Sequence, residues 1–289
     1  MDSPSPAASA DPSSAEITSH SKSNLAFTLR FVPEDRRQDL ISFYAFCRII
    51  DDLADDLELP LEDKERGLSG WHQVILSGQT DPSLKSLNVQ EETLAVQKRY
   101  NIPQEYFLNI IQGCQDDLSP RRYQTWEELQ RYTFNVACSV GLVCLPIFGA
   151  DAHRSHDYAV ALGHALQLTN ILRDIGEDLV NGERIYVPLQ DATECSYTEA
   201  DFLARTHDVR FIKFMNAQAA RAEEYYHKAS SLLPREDFKA LAAPRAMHAI
   251  YHRLLRKMKA DQFQVFDRRY RVHRVTKMGL LLKEMLRSA

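Results

Sequence analysis

The sequence predicts an all-α protein whose folded part is a single domain, and three observations carry that expectation. Long stretches mix Ala, Leu, Glu, Arg and Gln, which are strong helix formers. Glycine is scarce, with 10 residues in a chain of 289. Apolar residues recur at three- and four-residue spacing, as Leu40, Phe43, Tyr44, Phe46 and Cys47 do, which is the repeat of one helix face.

The elements follow in order. Residues 1–19 are rich in Ser, Ala, Pro and Asp and lack the apolar surface to fold, so a disordered tail is expected there, with the helical domain over 20–289. Pro33-Glu34-Asp35 reads as a helix start, and the helix it begins is expected over about 36–57. Pro60 and Gly70 punctuate the next region, and Gly78 to Pro82 reads as a loop. Further helices are predicted at about 89–99, 103–117, 125–148, 154–180, 198–205, 209–233, 235–241, 244–259 and 275–287.

Composition narrows the function classes. Hydrophobic residues make up 44% and charged residues 26%, as in a soluble globular protein. A net charge of −5 offers no general basic surface, so nucleic acid is not an expected partner. Cys47, Cys114, Cys138, Cys144 and Cys195 show no CxxC pairing, which points away from a disulfide or zinc framework and toward a reducing cytosol. The most apolar stretch, Val136 to Ala150, reads as too short to cross a bilayer. No charged-then-apolar leader opens the chain, so no secretory signal is expected.

Two acidic clusters stand out. In Arg48-Ile-Ile-Asp51-Asp52-Leu-Ala-Asp55-Asp56, a turn of 100° per residue puts Asp51 and Asp55 on one face with Tyr44 and Arg48. In Gln167-Leu-Thr-Asn170-Ile-Leu-Arg173-Asp174-Ile-Gly-Glu177-Asp178, the polar positions Gln167, Asn170, Asp174, Glu177 and Asp178 fall within about a quarter of the circumference. A solvated acidic run rarely sits in a helix this apolar. Crowded carboxylates repel unless a cation lies between them, and Mg²⁺ (or Mn²⁺) bridges carboxylates to substrate phosphates. Two such faces across a cavity would hold metal ions and a diphosphate. Spacing alone does not say which acidic-cluster enzyme this is.

At these residues the chain resembles the squalene/phytoene synthase family over about 20–280. His20-Ser-Lys-Ser23 resembles the family's N-terminal signature. Phe43-Tyr-Ala-Phe-Cys-Arg-Ile-Ile-Asp-Asp-Leu-Ala-Asp-Asp56 resembles its first aspartate motif, and Leu162 to Asp178 its second, followed by Glu183-Arg-Ile-Tyr-Val-Pro188. The resemblance implies an isoprenoid synthase-type helical bundle around a central cavity, and head-to-head condensation of two allylic prenyl diphosphates through a cyclopropyl diphosphate. Farnesyl diphosphate would lead to presqualene diphosphate or squalene-type products, and geranylgeranyl diphosphate to phytoene.

Residue by residue, the resemblance assigns Asp51, Asp55, Asn170, Asp174 and Asp178 as metal–diphosphate ligands. It assigns Ser21, Ser23, Tyr44, Arg48 and Arg173 as diphosphate contacts, Gln167 to the cavity, and Tyr132 as a tyrosine near the reacting carbons. Departures are Asn24 for an aromatic, Phe134 for a second aromatic of the motif, and Cys138 for a glycine; these bear on pocket shape. No nicotinamide-binding fingerprint is legible, so use of NADPH stays open. A head-to-tail prenyl synthase or terpene cyclase shares such clusters but not this motif text, and a non-catalytic binding relative would be expected to have lost ligands that are present here. His164 reads as a packed, hydrogen-bonded histidine. The basic stretch Arg268 to Lys277 reads equally as a solvated face or as cations for a diphosphate or for anionic lipid, which would make the protein cytoplasmic with peripheral membrane contact.

Overall fold

A computed structural model describes residues 13–19, 32, 34–56, 58–119 and 122–287. The described residues are 72% helical and contain no strand. In chain order the helices are α1 (Ser14–Ser19), α2 (Glu34–Asp55), α3 (Leu61–Ser77), α4 (Leu87–Arg99), α5 (Gln104–Asp116), α6 (Trp126–Thr133) and α7 (Ser139–Phe148). They continue with α8 (His156–Val180), α9 (Leu189–Glu194), α10 (Glu199–Leu203), α11 (Val209–Leu232), α12 (Ala242–Ala260) and α13 (Arg274–Leu286).

Two apolar cores share the molecule. The first joins α2 to α5 around Phe43, Phe46, Trp71 and Phe107, whose rings meet edge to face at 5.5–5.7 Å. The second joins α6 to α13 around Tyr158, Phe202, Phe214 and Tyr226. Helix α7 belongs to both, because it is apolar all round: Leu142 and Leu145 face the second core, while Val143, Cys144 and Ile147 face the first. Helix α8 lies beside it and packs most extensively on α11. Both aspartate motifs are therefore carried by long helices clamped into cores, which suits a site that must hold charges at fixed separations.

Local chemistry accounts for the boundaries. Thr125 caps α6 by accepting from the Glu128 amide at 3.3 Å. Asp208 caps α11 by accepting from Arg210 and Phe211. Gly78, at φ 67°, closes α3 in the left-handed conformation that a side chain disfavours.

Between α6 and α7 the helix continues through a π-turn, Phe134–Cys138, which holds one extra residue. There Gly163 of α8 lets two backbones touch: a Cβ would lie 2.7 Å from Cys138 Cα. The Cys138 thiol, where the family pattern has glycine, lies within the same contact and donates to the Val160 carbonyl of α8 at 3.3 Å.

Four expectations change. Ser14–Ser19 of the expected tail is helical, with Ser14 and Ser42 both donating to Glu92. Residues 61–77 form a full helix; Pro60 precedes its first turn, and Gly70 makes room for Leu84, whose Cδ2 would be 2.7 Å from a Cβ. Residues 235–241 are turns, not a helix, because Asp237 is used to accept from Arg154 and Ser155. Finally, the apolar stretch is not confined to 136–150. The π-turn makes Trp126–Phe148 one run of 23 residues, long and apolar enough to cross a membrane by length and composition. Half of its most apolar window is buried against α5, α8 and neighbouring helices, as befits a core helix.

Candidate functional site

The two acidic faces are brought together at the ends of α2 and α8, with Arg184 between them. Arg184 follows α8 after a tight turn in which its amide donates to the Asp178 carbonyl at 3.0 Å. Its guanidinium donates to Asp55 at 2.9 Å and lies within electrostatic reach of Asp51, Asp117 and Asp178. Groups from α2, the end of α5 and α8 thus share one field.

On α2, Arg48 pairs with Asp51 at 3.1 Å and also with Asp52. Helix α2 ends at Asp55, just short of Asp56, which instead accepts from the Glu58 amide at 2.8 Å in the turn that follows. Asp51 is lifted to about 6, by loss of solvent first and by the Asp55 carboxylate second. Tyr44 is buried one turn before Arg48.

On α8, Arg173 grips Asp174 with both ends of its fork. Arg269, from the basic stretch, reaches Asp174 at 3.1 Å and Glu177 at 2.9 Å. Asp178, one turn further along, is pushed up to about 8, by desolvation first and then by Asp174. Asn170 donates to Gln167 at 3.4 Å, and its buried Oδ1 has no hydrogen-bond partner.

Tyr132 lies at the end of α6, just before the π-turn, and donates to Asp117 at 3.0 Å. Tyr186 donates to the same carboxylate at 2.8 Å, and the two rings stack at 5.3 Å. Tyr123 tilts against Tyr132 and stacks with Tyr186. Burial raises Asp117 to about 6, while the two phenols hold it down. A cleft of about 560 Å³ opens beside Tyr123, Tyr132 and Asn135.

The structure thus links Asp51, Asp55 and Asp178 through Arg184 to Asp117 and Tyr132, with Arg48 paired to Asp51, and Gln167, Asn170, Arg173 and Asp174 in the three turns of α8 before Asp178. Ser21 and Ser23 lie outside the described residues. Asp117, Arg184, Tyr186 and Arg269 were not assigned from the sequence. Arg184 and Tyr186 stood inside a quoted motif, and Arg269 inside the basic stretch. Asp117 carried no signal, because its partners are 15 and 69 residues away. His164 is a buried core residue, 2.8 Å from Thr133 Oγ1, as its apolar helix implied.

The donor set suits a hard cation. Acidic oxygens are crowded, one amide oxygen is orphaned, and no three His, Cys, Asp or Glu side chains among the described residues close into a cage. Mg²⁺ sites of this kind keep waters and take their remaining ligands from substrate phosphate.

Comparison with known proteins agrees with this geometry. A family model described as squalene/phytoene synthase matches residues 18–276. The presqualene diphosphate synthase of Zymomonas mobilis is 31% identical, over 94% of this chain and 92% of its own. The 15-cis-phytoene synthase of Synechococcus elongatus is also 31% identical, over 89% and 86%. A solved dehydrosqualene synthase superposes with a TM-score of 0.78 at 27% identity, covering 96% of this chain and 95% of its own. A squalene synthase from Alicyclobacillus acidocaldarius gives 0.72 at 27% identity, covering 86% and 91%.

Proposed function

The chain belongs to the squalene/phytoene synthase family of head-to-head prenyltransferases, and on that premise we propose that it joins two allylic prenyl diphosphates at the paired acidic faces, through a cyclopropyl diphosphate. The observation that carries this reading is the convergence of Asp51, Asp55 and Asp178 about Arg184, with Asp174 one turn before Asp178.

Asp51, Asp55, Asn170, Asp174 and Asp178 would hold Mg²⁺, with Mn²⁺ as a substitute. When bound, the ions neutralise the diphosphate as its C–O bond breaks. Arg48, Arg173 and the serines Ser21 and Ser23 would bind diphosphate oxygens, and Tyr44 would close that pocket. As the C1–O bond of the first substrate breaks, its electron pair leaves with the diphosphate and an allylic cation remains. The C2–C3 π bond of the second substrate attacks C1, and ring closure releases one proton. The Tyr132 and Tyr186 faces would stabilise the cation through the ring quadrupole, with Asp117 fixing both rings. Gln167 would line the cavity, whose apolar walls would keep water from the cation.

Farnesyl and geranylgeranyl diphosphate are both chemically suitable, and relatives named for either class of product are equally similar. The test is incubation with each diphosphate and Mg²⁺, with and without NADPH, followed by mass analysis of the lipid extract. One of the two should give a head-to-head product. Asp51→Asn and Asp174→Asn should each lower turnover by at least about 10³-fold in a folded protein. Near-normal turnover in either variant would remove the metal-site assignment.

A further inference from the structure

Five of the ten large apolar side chains exposed among the described residues lie on one 13-residue helix, α13: Val275, Met278, Leu282, Met285 and Leu286. At 100° per residue they fall within an arc of about 100°. Glu284 lies nearly opposite that arc and Leu281 about a quarter-turn from its centre; both are buried, Glu284 through its pairing with Arg245 of α12. The helix is thus anchored by one face and presents a continuous apolar stripe on the other. By the same arithmetic Arg274 borders the stripe on one side and Lys283 on the other, and both are exposed. The segment from Asp267 to Arg287 holds seven Lys and Arg against two acids, in a chain whose net charge is −5.

We infer that α13 is an interfacial helix that seats the protein on an anionic lipid surface. Its charge pattern is the reverse of the molecule's average and complements such a surface. An apolar arc flanked by cations is what lies flat at the boundary of headgroups and acyl chains. A second copy of the chain is a poorer occupant. A 13-residue helix is about 20 Å long and 10 Å wide, so the stripe offers roughly 200 Å², against about 800 Å² per partner in a stable dimer.

The placement also fits the proposed chemistry, on which this part of the inference rests. Arg269, five residues before α13, touches Asp174 and Glu177 at the rim of the site. A seated α13 therefore holds that rim close to the membrane, where greasy substrates reside and a hydrocarbon product dissolves.

The test is flotation of the full chain, without substrate, with phosphatidylcholine vesicles containing about one-third phosphatidylglycerol. The wild type should float, and only weakly with pure phosphatidylcholine. Val275→Ser, Leu282→Ser and Leu286→Ser combined should reduce flotation at least about tenfold at every salt concentration. Arg274→Glu with Lys283→Glu should reduce it chiefly at low salt. As a second measurement, the tryptophan emission of a Leu282→Trp variant should shift further to the blue than that of the wild type on adding the anionic vesicles. Unchanged flotation of the triple variant, or no added blue shift in the Leu282→Trp variant, overturns the inference. So does light scattering that shows a wild-type dimer which the triple variant dissolves. Turnover measured separately in detergent micelles should be the same in the triple variant and in Leu282→Trp as in the wild type. A protein that floats but does not turn over would count against the reaction and not against the surface.

Discussion

Asp117 accepts from two stacked tyrosines, and only an ionised carboxylate accepts from both without offering a competing donor. Asp117→Asn leaves one phenol facing an amide N–H₂. Turnover should fall by about 10–100-fold, and stability by about 1–3 kcal/mol, read from product formation and from urea unfolding. His164 tests a different balance. Burial, then Lys228, lowers it to about 4, so the folded protein keeps it neutral. The unfolded chain binds a proton near 6.5. Its contribution to stability is complete above pH 6.5 and is lost as the pH falls from 6.5 toward 4. The raised carboxyl of Asp117 works in the opposite direction, so the measurement is a difference. As the pH falls from 6.5 to 4, the Tm of the wild type should drop relative to that of His164→Gln; parallel curves would show that His164 does not titrate this way.

At the scale of elements, the contact of α8 with the π-turn is the most demanding. A Cβ at Gly163 would meet backbone atoms of Cys138 at 2.7 and 2.9 Å, and backbone cannot swing aside. Gly163→Ala should destabilise by about 1–3 kcal/mol and disturb Tyr132, six residues before Cys138. In α13 the reverse holds, because nothing lies within 4 Å of a Cβ at Gly279. Gly279→Ala removes backbone freedom from the unfolded chain and should stabilise by about 0.5–1 kcal/mol. Chemical denaturation of the two variants side by side reads both signs.

For the whole molecule, the arginines are the cations that the acidic faces already hold. Arg48, Arg184, Arg173 and Arg269 pair with carboxylates from both motifs, while Asp51 and Asp178 remain raised by burial and crowding. An added divalent cation should relieve that crowding and tie α2 to α8. Mg²⁺ with inorganic diphosphate should raise Tm by several degrees, as selective binding to the folded state requires. Turnover should vanish with EDTA and return with Mg²⁺. A Tm that does not respond, together with EDTA-resistant turnover, would sink the metal assignment.

The sequence by itself determined the helical class, most long helices to within a few residues, and the two acidic faces, because 3.6-residue periodicity is a local property of the chain. The same local logic made the family legible at Phe43 to Asp56 and at Leu162 to Asp178. It failed at α3, where Gly70 looked like punctuation and is a packing contact with Leu84. It failed at 235–241, where a buried Asp237 claims the turn. Only tertiary structure could bring Asp117 to Tyr132 and Tyr186, place Arg184 between the two motifs, and leave one face of α13 bare. Each of those depends on which surfaces the cores of α2–α5 and α6–α13 bury, and burial is decided by residues far apart in the chain.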